Sequence, residues 1–159
     1  LVGDGAMQMN GLAELITIAK YRERWSDQRL VVMVLNNRDL NQVTWEQRAM
    51  SGDPKFVESQ ELPDVPYARW AQLLGLNGIR TDDPDAIGEC WDRALASDRP
   101  TVLEVICDPE VPPLPPHITI EQARSFASAI AHGDPARRRI IAQAIRQKLP
   151  EILHGRSSR

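Results

Sequence analysis

The sequence predicts an α/β fold: an open, mostly parallel sheet with flanking helices, followed by a helical tail. Leu30-Val31-Val32-Met33-Val34-Leu35 is a continuous apolar run, as a strand buried on both faces of a parallel sheet requires. Stretches of helical period alternate with such runs in the order β-α-β-loop-α-β-α-β, the order of an open sheet with right-handed crossovers. From Pro109 onward the composition changes to a proline-rich connector and two further helical patterns.

Leu1-Val2, just ahead of Gly3, is expected to be the tail of a strand, since strands usually run about 5–6 residues. The chain therefore reads as a fragment of a longer protein. Met9, Leu12, Ala13, Ile16 and Ala19 recur at the one-face spacing of an amphipathic helix that begins near Met7. Lys20 to Arg29 forms its solvated end and the turn into strand Leu30–Leu35. Asn36 to Pro66 has no sustained period and many turn formers, the composition of a long functional loop with one short helix.

Pro66-Tyr67 opens the next helix, with proline at a favoured first-turn position, Ala68, Ala71 and Leu74 on its face and Gly75 at its end. A short strand follows at Gly78 to Arg80. Asp82-Asp83-Pro84 caps a helix that runs to about Ser97, with Ile87, Trp91 and Leu95 on one stripe. Thr101 to Cys107 is the last strand. These assignments divide the chain into a sheet domain at 1–108, a stiff proline-rich connector at 109–118 and a helical basic tail at 119–159. Within the tail, Thr119 to Ala131 and Asp134 to Leu153 read as helices. In the second, Ile141, Ile145, Leu149 and Ile152 form an apolar stripe, with Arg138, Arg139, Arg146 and Lys148 mostly off it. Such a helix docks on protein or lies at an anionic membrane surface.

Composition narrows the function classes. Hydrophobic residues make up 42% and charged residues 26% of the 159, ordinary globular values that argue against disorder. Aromatics at 5% and a net charge of −3 give no pull toward nucleic acid. Residues 120–159 carry 8 Lys+Arg against 3 Asp+Glu, so an acidic body bears a basic appendix. Two cysteines, Cys90 and Cys107, exclude a disulfide framework. With no run of about 18 apolar residues, a membrane-spanning reading is out. The expected location is cytoplasmic, with peripheral contact at the inner face of a membrane through the tail helix.

Ligands of open α/β sheets bind at the carboxyl ends of the strands. Two such ends carry polar clusters here, Gly3-Asp4-Gly5-Ala6 and Asn36-Asn37-Arg38-Asp39. The helix after the first cluster presents backbone N–H groups and a positive dipole end, a ready phosphate site. Asp4 would repel a bound phosphate unless a cation lay between them. Mg²⁺ suits that place, since it takes a few protein oxygens together with substrate phosphates. Asn37 can add a neutral oxygen from the adjoining strand end. The constellation predicts a diphosphate held through magnesium.

Other chemistry finds little support. A dinucleotide fingerprint fails at Gln8, where its third glycine belongs, and no Walker A sequence is present. His117, His132 and His154 have no cysteine or carboxylate at ligand spacing. No G-x-S-x-G elbow appears. Asp82, Asp83 and Asp85 read as helix-start acids, Cys90 and Cys107 as core thiols, and Trp25, Trp45, Trp70 and Trp91 as packing residues.

Gly3-Asp4-Gly5 followed by Asn36-Asn37, with a helix and a buried strand between, resembles the thiamine diphosphate-binding motif. Tyr67-Ala68-Arg69-Trp70-Ala71, Gly78-Ile79-Arg80 and Pro100-Thr101-Val102-Leu103-Glu104-Val105 continue the resemblance. Pro115-Pro116-His117-Ile118-Thr119-Ile120-Glu121-Gln122-Ala123 is similar to the end of the pyruvate oxidase branch. The chain thus resembles the carboxyl-terminal pyrophosphate-binding domain of a pyruvate oxidase-like enzyme, in the family that includes acetolactate synthase. The likeness implies that Asp4, the Asn37 side chain and the Asp39 carbonyl bind Mg²⁺. It also implies that Gly3, Gly5 and Ala6 meet the diphosphate, that Leu40 and Asn41 lie along the cofactor, and that Glu46 falls near the substrate. No other catalytic residue is assigned. Two departures stand out: the Asp4-to-Asn37 interval is longer than usual, and Asn41 replaces a glycine common in the family.

The implied function is decarboxylation or oxidation of a pyruvate-like 2-oxo acid by a homo-oligomer, dimer or tetramer, using thiamine diphosphate and Mg²⁺. The resemblance places the pyrimidine-binding domain, its activating glutamate and any FAD-holding domain outside these residues, so the chain alone is expected to be inactive. The alternatives are an acetolactate synthase-like carboligase and a non-catalytic interaction or membrane-surface module acting through the basic tail.

Overall fold

The computed structural model describes residues 1–111, 119–143 and 145. In chain order the elements are β1 (Val2–Gly3), α1 (Asp4–Ala6), a π-helical turn (Met7–Gly11), α2 (Leu12–Tyr21) and β2 (Val31–Asn36). Then come α3 (Asn41–Glu46), a second π turn (Gln47–Ser51), α4 (Val57–Gln60), α5 (Tyr67–Leu73) and β3 (Asn77–Thr81). α6 (Ile87–Leu95), β4 (Thr101–Ile106) and α7 (Ile120–Ala131) complete them. They form two compact units, one of Leu1–Asp39 with Leu62–Cys107, the other of Leu40–Glu61 with the residues from Asp108 onward. The stretch Leu40–Glu61, which the sequence presents as a loop, is therefore largely helical and packs with carboxyl-terminal segments.

The first unit is a four-stranded, all-parallel sheet in the order β1-β2-β4-β3. On one face Val34 and Val102 pack with Met7, Leu15, Tyr67, Ala71 and Leu76; on the other Leu103, Val105 and Ile79 pack with Cys90 and Ala94. Helices on both faces explain the near-continuous apolar runs of β2 and β4. Gly78 is required where β3 passes α5, because a Cβ there would collide with the Ala68 carbonyl oxygen.

In this unit two helix faces differ from the sequence expectation. The buried positions of the first helical run are Met7 and Leu15, while Met9 and Ile16 are 68% and 50% exposed. The π turn is the cause: an i→i+5 turn adds a residue and rotates every later side chain relative to those before it. In α6 the sheet is met by Cys90 and Ala94, and Trp91 and Leu95 face outward. Ile87 of the expected stripe packs against the same cluster, but the helix's other contacts are made by small residues, which signal weakly in a hydrophobic pattern. The outward side of α2 and α5 leaves an apolar groove of about 310 Å³, lined by Leu12, Ala13, Ile16, Val65, Pro66, Arg69, Trp70 and Leu73.

The second unit is organised by a buried arginine. Arg48, 1% exposed, donates through Nε and Nη2 to the two carboxylate oxygens of Asp134 at 2.8 and 2.9 Å. Its guanidinium lies 4.7 Å over the Trp45 ring, which stacks on Phe126 at 5.6 Å. Glu110 stands 3.9 Å from Arg48 and 3.4 Å from Arg139. Asp134 also accepts the N–H groups of Lys55 and Ala136. Gly52, at φ 75°, closes the second π turn against the Ser125 carbonyl of α7, a conformation that favours glycine. The residues after Asp134 turn helical at 137–143, as expected, but Ala136 and Ile140 are the buried positions and Ile141 and Ile145 are exposed. Leu149 and Ile152 of the expected stripe, Arg146 and Lys148 beside it, and 112–118 of the connector lie outside the described residues. No described helix is long and apolar enough to cross a membrane.

Burial pushes the Asp134 carboxyl up, but Arg48 and the two N–H donors more than offset it and hold the group below its ordinary value. Its stabilising contribution is thus complete above the unfolded value of about 3.9 and is lost as pH falls through the lower folded value. Glu110 has the opposite sign: burial raises it, so its contribution is complete below about 4.3 and fades as pH rises through the folded value. Melting midpoints measured from pH 7 to acid should fall more steeply in the wild type than in Asp134→Asn. Arg48→Met, which strands two buried carboxylates, should cost about 3–5 kcal/mol in urea unfolding.

Candidate functional site

The pairing of β1 with β2 builds the site. Gly3 pairs with Leu35, so the residues just beyond, Asp4 and Asn36-Asn37, leave adjacent strand ends about 4.8 Å apart. Asp4 is the first residue of a helical run and is 3% exposed. Its Oδ1 accepts the Gly5 N–H at 2.9 Å and its Oδ2 accepts the Arg38 N–H at 2.6 Å. The second bond ties the two turns directly. Arg38 reaches it at φ 58°, an uncommon left-handed conformation for a residue of this kind. Gly3 has ordinary extended backbone, φ −78°.

Asn37 is half-buried, and its Oδ1 accepts the Asp39 N–H at 3.0 Å. Asp39 is buried. The first unit thereby gathers Gly3, Asp4, Gly5, Ala6, Asn37 and Asp39 at one end of the sheet. Leu40, Asn41 and Glu46 belong to the second unit. There the Leu40 N–H donates to the Gln60 carbonyl, and the Asn41 amide donates to the Pro109 carbonyl at 2.6 Å. Glu46 is exposed and accepts from Gln42 at 2.6 Å. Asn41, where a glycine was the expectation of the motif, is thus the first residue of α3 and anchors it.

Three residues that sequence reasoning assigned no site role complete the arrangement. The Tyr67 hydroxyl donates to the Asp4 carbonyl at 3.2 Å and accepts from Gln8 at 3.0 Å. Glu104, with no exposed surface, accepts from Asn36 Nδ2 at 2.8 Å and from the Ala68 N–H at 3.0 Å. The signal was there for Glu104: a carboxylate inside an otherwise buried strand is rare unless paired. Asn36 Oδ1 is the one buried side-chain polar atom without a partner among the described residues, and such orphans call for an explanation.

The buried Asp4 carboxylate carries a desolvation cost. Burial pushes the Asp4 carboxyl above its usual range, although the backbone N–H groups of Arg38 and Gly5 pull it back. A bound cation would relieve that cost by restoring a charge partner. Burial, with the charges of Asp4, Glu104 and Asp64, also raises the Tyr67 phenol, which Gln8 pulls the other way. Tyr67 therefore stays a neutral donor to Asp4. Burial and the Asp4 charge raise the Cys107 thiol, which disfavours the thiolate. No three His, Cys, Asp or Glu side chains among the described residues form a metal cage. The Asp4 carboxylate and the Asn37 amide are hard oxygen donors of the kind that Mg²⁺ takes when a phosphate supplies the rest.

Residues 1–105 match the family described as "Thiamine pyrophosphate enzyme, C-terminal TPP binding domain". The chain belongs to this thiamine pyrophosphate enzyme family. It is 34% identical over 125 residues to the protein YdaP of Bacillus subtilis (strain 168), covering 79% of this chain and 20% of YdaP. It is also 34% identical over 113 residues to the mitochondrial acetolactate synthase catalytic subunit of Aspergillus candidus, covering 71% of this chain and 15% of that protein. Among solved structures, the thiamine diphosphate-dependent 4-hydroxybenzoylformate decarboxylase of Rhodococcus jostii RHA1 has the same fold. The TM-score is 0.57 at 21% identity, over 67% of this chain and 19% of that one. The chain thus spans a fifth or less of the length of these relatives.

The backbone of Arg38 gives a test of the turn that joins the two motifs. Arg38→Gly relieves the left-handed strain and should stabilise the cofactor-free protein by about 1 kcal/mol. Arg38→Val, β-branched at positive φ, should destabilise it by at least as much. Thermal melts of the two variants should move in opposite directions.

Proposed function

We propose that this domain holds the diphosphate of thiamine diphosphate through Mg²⁺ within a longer enzyme that decarboxylates a pyruvate-like 2-oxo acid. The observation that carries the reading is the buried Asp4 carboxylate, tied by the Arg38 N–H to the turn that presents Asn37. Asp4, the Asn37 amide oxygen and the Asp39 carbonyl would hold the metal, while the Gly5 and Ala6 main chain would face the phosphates at the start of the helix. The bound cofactor supplies an electron sink for loss of CO₂ from the 2-oxo acid. This chain's own part is binding and orientation: it fixes the charged end of the cofactor in a buried, hydrogen-bonded cradle. Tyr67 keeps its proton and braces Asp4 from behind. Glu46, exposed on α3, is the candidate for contact with substrate.

Two branches of the family fit. The proline-rich end resembles pyruvate oxidase-like enzymes and favours oxidative decarboxylation. The 34% identity to an acetolactate synthase subunit favours a carboligase. Both need a homo-oligomer in which other domains complete the site. The full-length protein incubated with pyruvate separates them: acetolactate identifies the carboligase, whereas acetate with a reduced electron acceptor identifies the oxidase.

The metal assignment has a direct test. Calorimetric titration of the full-length protein with thiamine diphosphate should show binding that depends on Mg²⁺. Asp4→Ala should weaken it by more than about a hundredfold, since it removes the charged metal ligand. Asn37→Ala should cost about tenfold, because water can replace a neutral oxygen. Unchanged affinity in Asp4→Ala would overturn the assignment.

A further inference from the structure

We propose that Glu104 is a positioning residue for the diphosphate site, holding the two cofactor-binding turns in register through Asn36 and Tyr67. The inference rests on the cofactor reading of those turns. Its starting point is cost: Glu104 has no exposed surface, and it sits on the sheet face where its strand neighbour Val102 is core. A buried carboxylate is expensive unless its oxygens are well bonded. An apolar residue there would serve the fold.

Where the bonds go is informative. Oε1 accepts from Asn36 Nδ2 at 2.8 Å, at the end of β2 and immediately before Asn37. Oε2 accepts the Ala68 N–H at 3.0 Å, in the first turn of α5. The residue before Ala68 is Tyr67, whose hydroxyl donates to the Asp4 carbonyl at 3.2 Å. One carboxylate thus grips the base of the Asn-Asn turn with one oxygen and, with the other, the helix start that braces the Gly-Asp-Gly turn. Arg80 adds only a longer contact, 3.4 Å, from a half-exposed side chain.

Asn36 is oriented by the same network. Its Nδ2 donates to Glu104 and, at 3.3 Å, to Asp64. Both amide hydrogens are spent on carboxylates, and this orientation leaves Oδ1 without a partner. An unmade buried bond is unfavourable, so the amide is held this way against a cost, and Glu104 makes its shortest bond. The direct Asp4–Arg38 bond joins the turns at their tips; the Glu104 route joins them at their bases.

The test uses the full-length protein as wild type, Glu104→Gln, Tyr67→Phe and the double variant. Thiamine diphosphate affinity is measured calorimetrically at fixed Mg²⁺, beside the melting midpoint without cofactor. Each single variant should weaken binding by about tenfold, the upper end of what one intramolecular hydrogen bond contributes. The double variant should be only about as weak as the worse single one, because both break one route. Tyr67→Phe keeps its ring in the core and carries the test if Glu104→Gln does not fold. Affinities within twofold of wild type in the variants that fold, whatever the midpoints do, would overturn the proposal and leave Glu104 a sheet residue. Multiplying effects would overturn it too, by showing two independent routes. A wild type that shows no Mg²⁺-dependent binding would overturn the cofactor reading itself.

Discussion

A negative charge buried at the end of a parallel sheet is the constraint on which the rest of this domain depends. Asp4 leaves β1 at the start of a helix, where the dipole favours an acid, and its carboxylate is nevertheless taken almost wholly out of water. Main-chain N–H groups from Gly5 and Arg38 hold it there. Those bonds reduce the desolvation cost without cancelling it, since the group remains above its ordinary pKa. The left-handed backbone at Arg38 and the unpaired oxygen of Asn36 belong to the same bargain. An uncommon backbone conformation and an unmade bond gather at this end of the sheet, as at functional sites that break local rules.

The two units carry different chemistry. In the first, polar groups on the α2–α5 face rise from the apolar centre of Val34, Val102 and Leu15 to the network of Glu104, Asn36, Tyr67 and Asp4 at the strand ends. In the second, a single arginine is satisfied by Asp134, Glu110 and the Trp45 ring. Such a buried pair adds little net stability over an apolar core, but it is strongly disrupted by loss of one member. It joins α3 and the second π turn, which hold Asn41 and Glu46, to the segments beyond Asp108.

Much of this was legible in the sequence, and the failures have causes. Strands β2, β3 and β4 stand within a residue of their expected bounds because β-branched runs flanked by turn residues signal strongly. The Gly-Asp-Gly and Asn-Asn pair pointed to one place in the fold because the two lie at the adjacent ends of β1 and β2. Legibility failed where a helix left ideal geometry. The first π turn rotated the face of the helix that follows it, so Met9 and Ile16 were expected inside and lie outside. It failed again where small residues did the packing, as with Cys90 and Ala94 beneath Trp91 and Leu95. Asn36 to Pro66 carries the pattern of a loop because its buried anchor, Arg48, is a residue type usually found in water. Tyr67 and Glu104 were hidden for a related reason: they meet Asp4 and Asn36 only through sequence separations of 63 and 68 residues.

The central claim is that Asp4 and Asn37 form one metal-bridged anchor for a diphosphate. Crystals of the full-length protein grown with thiamine diphosphate and Mn²⁺ in place of Mg²⁺ test it most directly, by the anomalous signal of the metal. The account predicts a single strong peak in coordination contact with the Asp4 carboxylate, the Asn37 amide oxygen and the Asp39 carbonyl, with the diphosphate on its far side. Diphosphate density at the helix start with no metal beside Asp4, or a metal peak elsewhere on the domain, would contradict it.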